Sequence, residues 1–118
     1  MKYMLMIYGN EEIFGSMAGD MEQVIKETEA LQAELRTTGE FIGAYGVADQ
    51  AEARTVRWQD GQPVVSDGPY LEAKEYLGSF DLIDCADLER ALEIAARLPF
   101  VRYGPVEVRP LPHASDSN

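Results

Sequence analysis

The stretch SDGPYLEAKEYLGSFDLID, residues 66–84, gathers the groups best suited to move protons or hold charge. Asp67, Glu72, Lys74 and Glu75 lie between two apolar segments. In the functional reading, Asp67 is the catalytic acid or base. Lys74 faces it across a pocket and stabilises an anionic or enolic oxygen. Gly68 and Pro69 form a stiff mount, because glycine tolerates positive φ and proline fixes its own. The same tripeptide also reads as a plain turn in which Asp67 caps free backbone N–H groups. The two readings are compatible, since a rigid turn mounts a reactive group well. Glu72, Lys74 and Glu75 likewise read either as a pocket wall or as a solvated loop with a weak ion pair.

Arg54 and Arg57 precede this stretch. Arg57 is the better candidate for a substrate contact, because it falls on the polar face of the hairpin described below. Tyr70 and Glu75 complete the candidate binding set, with Tyr45 and Tyr76 as further phenolic donors; packing is the commoner fate of such rings. Met4, Met6, Met17 and Met21 have strand and helix spacing and are expected as core filler.

Several chemistries are disfavoured. The single histidine, His113, stands near the end of the sequence, which leaves no imidazole base in the core. No His/Cys/carboxylate spacing resembles a zinc site, so no metal is expected. Glycine-rich phosphate loops are missing, and no cofactor is expected. Cys85 is alone, so an internal disulfide is excluded and a reducing compartment fits. No basic residue adjoins it, and it is expected as a small buried hydrophobe.

The elements that must position these groups follow from patterning. A chain of 118 residues, 46% hydrophobic, suits one globular domain. A net charge of −11 repels phosphate backbones and anionic membranes, so no nucleic-acid or membrane partner is expected. No apolar run approaches the roughly 20 residues of a membrane span, and a cytoplasmic location is the default. MKYMLMIYG is too short for a signal peptide and reads as a strand apolar on both faces, hence central and covered twice. A helix is predicted over Asp20–Thr38, with Met21, Val24, Ile25, Thr28, Leu31 and Leu35 on one stripe, Asp20 capping it with Gln23 as reciprocal partner, and Gly39 ending it. A strand over Phe41–Val47 follows, broken by the small residues Gly43, Ala44 and Gly46.

RTVRWQ-DG-QPVVS predicts a hairpin with Asp60-Gly61 at its turn, Trp58 opposite Pro63 and Val56 opposite Val65. Pro63 puts it near a sheet edge. Gly78–Asp84 is the next strand. A second helix spans Leu88–Leu98, capped by Asp87, with Leu88, Ala91, Leu92, Ala95 and Leu98 inward and Pro99 beyond it; Val106–Arg109 is the last strand. The expected fold class is therefore α+β, a ferredoxin-like split βαβ plan with an inserted β-hairpin, over one domain, 1–111, with a flexible tail at 112–118. Two helices cover one face of such a sheet. The twice-apolar first strand asks for a second cover, and a second copy supplies it: a homodimer packed sheet to sheet.

MKYMLMIYG, SDGPYLEAKEYLGSFDLID and the closing GPVEVRPL together resemble the DGPF or YCII-related domain family, from Met1 to about Leu111. The resemblance implies a ferredoxin-like fold that dimerises into an α/β barrel. It also implies a cleft lined by the central motif, here Asp67, Gly68, Pro69, Tyr70, Lys74, Glu75 and Gly78, and in some members a link to sigma-factor regulation. Two positions depart from the family pattern. Tyr70 stands where phenylalanine is usual, and the histidine of the His–Asp pair proposed for the wider branch has no counterpart in the folded region. Two functions follow. One is a cofactor-independent enzyme moving a proton on a small oxygenated or anionic metabolite, by isomerisation or elimination. The other is a small-molecule binding or sensing module. A third, purely structural reading has the motif only lock the loop.

Overall fold

The computed structural model describes residues 1–116. Six strands and three helices run in the order β1 (Lys2–Gly9), α1 (Glu11–Ala18), α2 (Met21–Thr38), β2 (Phe41–Gly46), β3 (Arg54–Gln59), β4 (Gln62–Asp67), β5 (Tyr76–Asp84), α3 (Leu88–Arg97) and β6 (Val106–Leu111). The chain is an α+β protein with antiparallel sheets. β2, β5, β1 and β6 form one four-stranded sheet in that spatial order, and β3 and β4 form a separate ribbon.

The alternation of β1 sets the two faces of the larger sheet. Tyr3, Leu5 and Ile7 are buried beneath the helices, with Leu31 and Leu35 of α2 and Ala91, Ile94 and Ala95 of α3 in the same cluster. Met4, Met6 and Tyr8 point to the other face and are only half-buried. Leu5, Ile83, Ile94 and Val24 are among the fully enclosed apolar side chains, each contributing about 1.5–3 kcal/mol of burial. Glu40, at the entry to β2, is fixed to α3 by a bidentate pair: Arg90 donates from Nε and from a terminal nitrogen, both at 2.9 Å. With the Thr38 hydroxyl also donating, these bonds hold the Glu40 carboxyl down at about 2.

The hairpin forms in the expected register, with Trp58 opposite Pro63 and Val56 opposite Val65. Asp60 and Gly61 both have positive φ, at 51° and 77°, as a type I′ turn requires. It does not join the edge of the larger sheet, however; it projects from it. The radius of gyration, 16.4 Å, exceeds the about 13–14 Å of a compact chain this long.

Several expectations are corrected. Helix α1 went unread, because Gly15 and Gly19 blur its pattern; Asn10 caps it, accepting from the Ile13 N–H at 2.9 Å. Asp20 does not cap α2 but accepts from the Tyr103 hydroxyl at 2.7 Å, and Gln23 reaches Glu27 instead of closing a capping box. Gly39 ends α2 in the left-handed conformation, as expected. In α3, Asp87 caps as predicted. Its inward stripe is Ala91, Ile94 and Ala95, followed by Leu98, while Leu88 and Leu92 are exposed. α3 packs against β6, an edge strand of the sheet, and against the turn that follows the helix. β5 starts two residues early, at Tyr76, and β6 runs on to Leu111. Of the expected tail, residues 112–116 carry no helix or strand, and 117–118 lie outside the described residues.

Candidate functional site

The motif begins where β4 ends. Arg54 and Asp67 are cross-strand neighbours, so their side chains meet, with Nε 3.1 Å from Oδ1. Asp67 is 91% exposed, and this pair belongs to the class of solvated ion pairs that contribute little. Gly68 follows at φ 92°. Its N–H donates to the Ala53 carbonyl at 2.9 Å, and its carbonyl accepts from the Thr55 hydroxyl at 2.8 Å. A residue locked from both sides in the left-handed region calls for glycine.

The chain then crosses back towards the larger sheet. Its course is set by Gln50, whose side-chain amide donates to the Ala73 carbonyl and accepts from the Ala73 N–H, both at 3.3 Å. Gln50 belongs to a short 3-10 turn, Gln50–Glu52, capped by Asp49, which accepts from the Ala51 N–H at 3.0 Å. This amide bridge ties the motif loop to the 47–53 segment.

A cavity of about 520 Å³ lies between these two segments and the end of β1. That is within the range of small-molecule sites, about 300–1,000 Å³. Pro69, Leu71, Ala73, Glu75 and Tyr76 line it from the motif loop, Val47, Asp49 and Glu52 from the facing segment, and Tyr8 from β1. The lining is mostly apolar and carries the carboxylates of Asp49, Glu52 and Glu75, with no lysine or arginine. A smaller cavity of about 280 Å³ lies across the amide bridge, lined by Gly68, Pro69 and Glu72.

Of the residues nominated from sequence, Pro69 and Glu75 lie on the larger cavity, and Gly68 and Pro69 on the smaller. Asp67, Tyr70, Lys74 and Arg57 line neither. The partner of Asp67 is Arg54, not Lys74. The Arg57 guanidinium stacks over the Tyr70 ring, 5.0 Å from its centroid, tying the hairpin to the loop from outside. Gly78 serves packing: a Cβ there would fall 2.7 Å from the Phe14 ring, which also meets Tyr76 edge-on at 6.0 Å. Cys85 is buried, and desolvation pushes its thiol up.

Sequence reasoning missed Asp49, Gln50 and Glu52. The signal was present, since Asp49-Gln50-Ala51-Glu52 has capping-box spacing. It also passed over Asp81, which lies within the strand predicted over Gly78–Asp84. Among the described residues, no group of three or more His, Cys, Asp or Glu side chains is arranged to hold a metal ion, and no helix is long and apolar enough to cross a membrane.

The YCII-related domain matches residues 1–113, nearly the whole chain. The chain belongs to the YCII-related domain family. Among curated proteins, an uncharacterized protein of Rhizobium meliloti (strain 1021) is 33% identical over 114 residues, covering 94% of this chain and 92% of the relative. In this YCII-related chain the motif loop is therefore one wall of a defined cavity, with an unmotived-looking segment, 47–53, as the other.

Proposed function

We propose that the cavity between the motif loop and the 47–53 segment binds a small oxygenated metabolite, and that the protein is a cofactor-independent enzyme moving a proton on it. The observation that carries this reading is the lining itself: an open, mostly apolar cleft of about 520 Å³ with the exposed acidic residues Asp49, Glu52 and Glu75 along it. Carboxylates beside apolar surface are suited to take up and return protons once a ligand displaces water. In this reading Glu75 is the motif group that exchanges the proton, and isomerisation or elimination is the reaction type. Asp67, with Lys74 and Arg57, acts at the rim. A neutral ligand suits this lining better than an anionic one, which would meet three carboxylates and no cation.

The reading includes a homodimer of ferredoxin-like subunits assembled as an α/β barrel, in the cytoplasm. Two features support it. The half-buried face of Met4, Met6 and Tyr8 continues into Phe80 and Leu82, and the projecting hairpin exposes Val56, Trp58 and Val65. Mass in solution at micromolar concentration tests the assembly, and a clean monomer rejects it.

A sensing module, including one coupled to a sigma factor, is the second reading. It is favoured by the absence of histidine, lysine and arginine from the lining, which leaves the carboxylates with only the tyrosines Tyr8 and Tyr76 as other ionisable groups. A thermal-shift screen of neutral hydroxy- and keto-metabolites against the wild type and Glu75→Gln separates these outcomes. A ligand that stabilises both and is consumed only by the wild type supports the enzyme. One that is bound and never consumed supports the sensor. A chain that no ligand stabilises has only a structural motif.

A further inference from the structure

The larger and smaller clefts beside the motif loop share Gln50, Pro69 and Ala73 in their linings. The amide bridge stands between them: Gln50 Nε2 donates to the Ala73 carbonyl, and the Ala73 N–H donates to Gln50 Oε1. Among the described residues it is the one hydrogen-bonded link between residues 70–75 and the rest of the chain. Ala73 is exposed and Gln50 only half-buried, so a ligand in either cleft can reach both ends of the bridge.

Both bonds are 3.3 Å long, beyond the usual about 2.9–3.0 Å, and both are open to solvent. A bridge of this kind adds little net stability and is readily exchanged. Ala73 turns its N–H and its carbonyl to a single partner, and that pattern selects the partner's chemistry. The partner must donate from one atom and accept at another on the same carbon, as a primary amide does. An ionised carboxylate only accepts; it would face the Ala73 carbonyl and the acidic residues Asp49, Glu52 and Glu75. An ammonium group only donates, and leaves the Ala73 N–H unmet.

We infer that the Ala73 backbone is an amide-recognition subsite of this cleft, and that the Gln50 side chain is its built-in competitor. The ligand is a neutral primary carboxamide with an apolar body. Its amide takes over the two bonds to Ala73, and its body lies along Val47, Leu71 and Leu77 of the larger cleft. Gln50, displaced, no longer divides the two clefts, so a longer ligand can run from one into the other. The inference rests on the reading that this cleft binds a small neutral molecule, and it names the polar group by which that molecule is held.

The test is titration of phenylacetamide into the full chain at neutral pH, followed by NMR at the Ala73 N–H and, in the wild type, at the Gln50 side-chain amide. Saturable shifts at both are expected. The N,N-dimethyl derivative, which has no N–H donor, and phenylacetate, which is ionised, should not produce them. Gln50→Ala removes the competitor and should tighten phenylacetamide binding about fivefold, the scale of one ordinary net hydrogen bond. A bridge that merely braces the cleft would give the opposite sign. The inference is overturned if neither the wild type nor Gln50→Ala saturates at Ala73, if either control compound reproduces the shifts, or if Gln50→Ala binds no better than the wild type. Turnover of a metabolite without a carboxamide, in a chain where phenylacetamide fails at Ala73, overturns this inference and leaves the proton-transfer reading standing. Phenylacetamide binding at Ala73 with the expected gain in Gln50→Ala, in a chain that consumes no metabolite, supports the inference and removes the enzyme.

Discussion

The helix-covered face of the sheet and the hairpin-and-loop region treat charge in opposite ways. In the former, apolar side chains are enclosed and the one buried carboxylate, Asp81, is pushed towards its neutral form. In the latter, Asp67 stays in solvent beside Arg54, while Val56, Trp58 and Val65 lie exposed. One region holds the chain together. The other offers surfaces with nothing of their own to bind. A binding role therefore suits the hairpin and loop, and an unexpected ionisable group is most costly, hence most informative, under the helices.

The largest expected difference is in packing. Ile83→Ala removes a fully buried side chain and should cost about 2–5 kcal/mol of stability by denaturant unfolding. Trp58, 74% exposed, should behave as a surface position, with Trp58→Ala within about 0.5 kcal/mol in a dilute, monomeric chain. If the hairpin meets a second copy, the Trp58→Ala cost grows with protein concentration while that of Ile83→Ala keeps its intrinsic part. Equal costs at every concentration would erase the distinction between the two regions.

The second contrast concerns Asp81 and pH. Its folded pKa, about 6, lies above the ordinary 3.8, so between these values the folded chain holds a proton that the unfolded chain releases. Stability from this group is full below pH 3.8, falls as pH rises through the window, and is fully lost above about 6. The interval between the two corresponds to at most about 3 kcal/mol. Asp81→Asn should therefore stabilise the protein at neutral pH, and the gain should vanish as pH falls below 4. Taking wild type minus variant cancels the opposite trend of Glu40, whose lowered pKa contributes stability that is lost as acid is added. A variant that is less stable at every pH would mean that Asp81 has a partner in the folded state.

How much was legible in the sequence follows the same division. β1, the hairpin register and the Gly39 cap rest on local rules, namely alternation, a two-residue turn and left-handed glycine, and these need no knowledge of the rest of the chain. The inward row of α3 depended on how the helix lies on the sheet, and so Leu88 and Leu92 were misplaced. The candidate site was half legible. Its motif loop is marked by residue type, and Glu75 and Pro69 do reach the cavity. Its other wall is fixed by the amide bridge from Gln50 to Ala73, a contact 23 residues apart that no spacing rule encodes. Asp81 was visible as a charge on the same strand face as Ile83. Its burial depended on small residues of β2 beside it and on α2 above it.

The smallest effects separate the two halves of the motif turn. Gly68 is held at φ 92° by hydrogen bonds on both its N–H and its carbonyl, so Gly68→Ala forces a Cβ into a disfavoured conformation. A loss of about 1–2 kcal/mol is expected. Open space surrounds the site of that Cβ, so the cost is conformational and not a clash. Asp67→Asn, next to it, removes only an exposed pair with Arg54 and should cost less than about 1 kcal/mol, a loss that added salt shrinks further. The glycine would then be the structural element of the turn, and the aspartate would be free of structural duty. If Asp67→Asn proves as costly as Gly68→Ala and insensitive to salt, the carboxylate is part of the lock, and its place at the rim of a binding site loses its support.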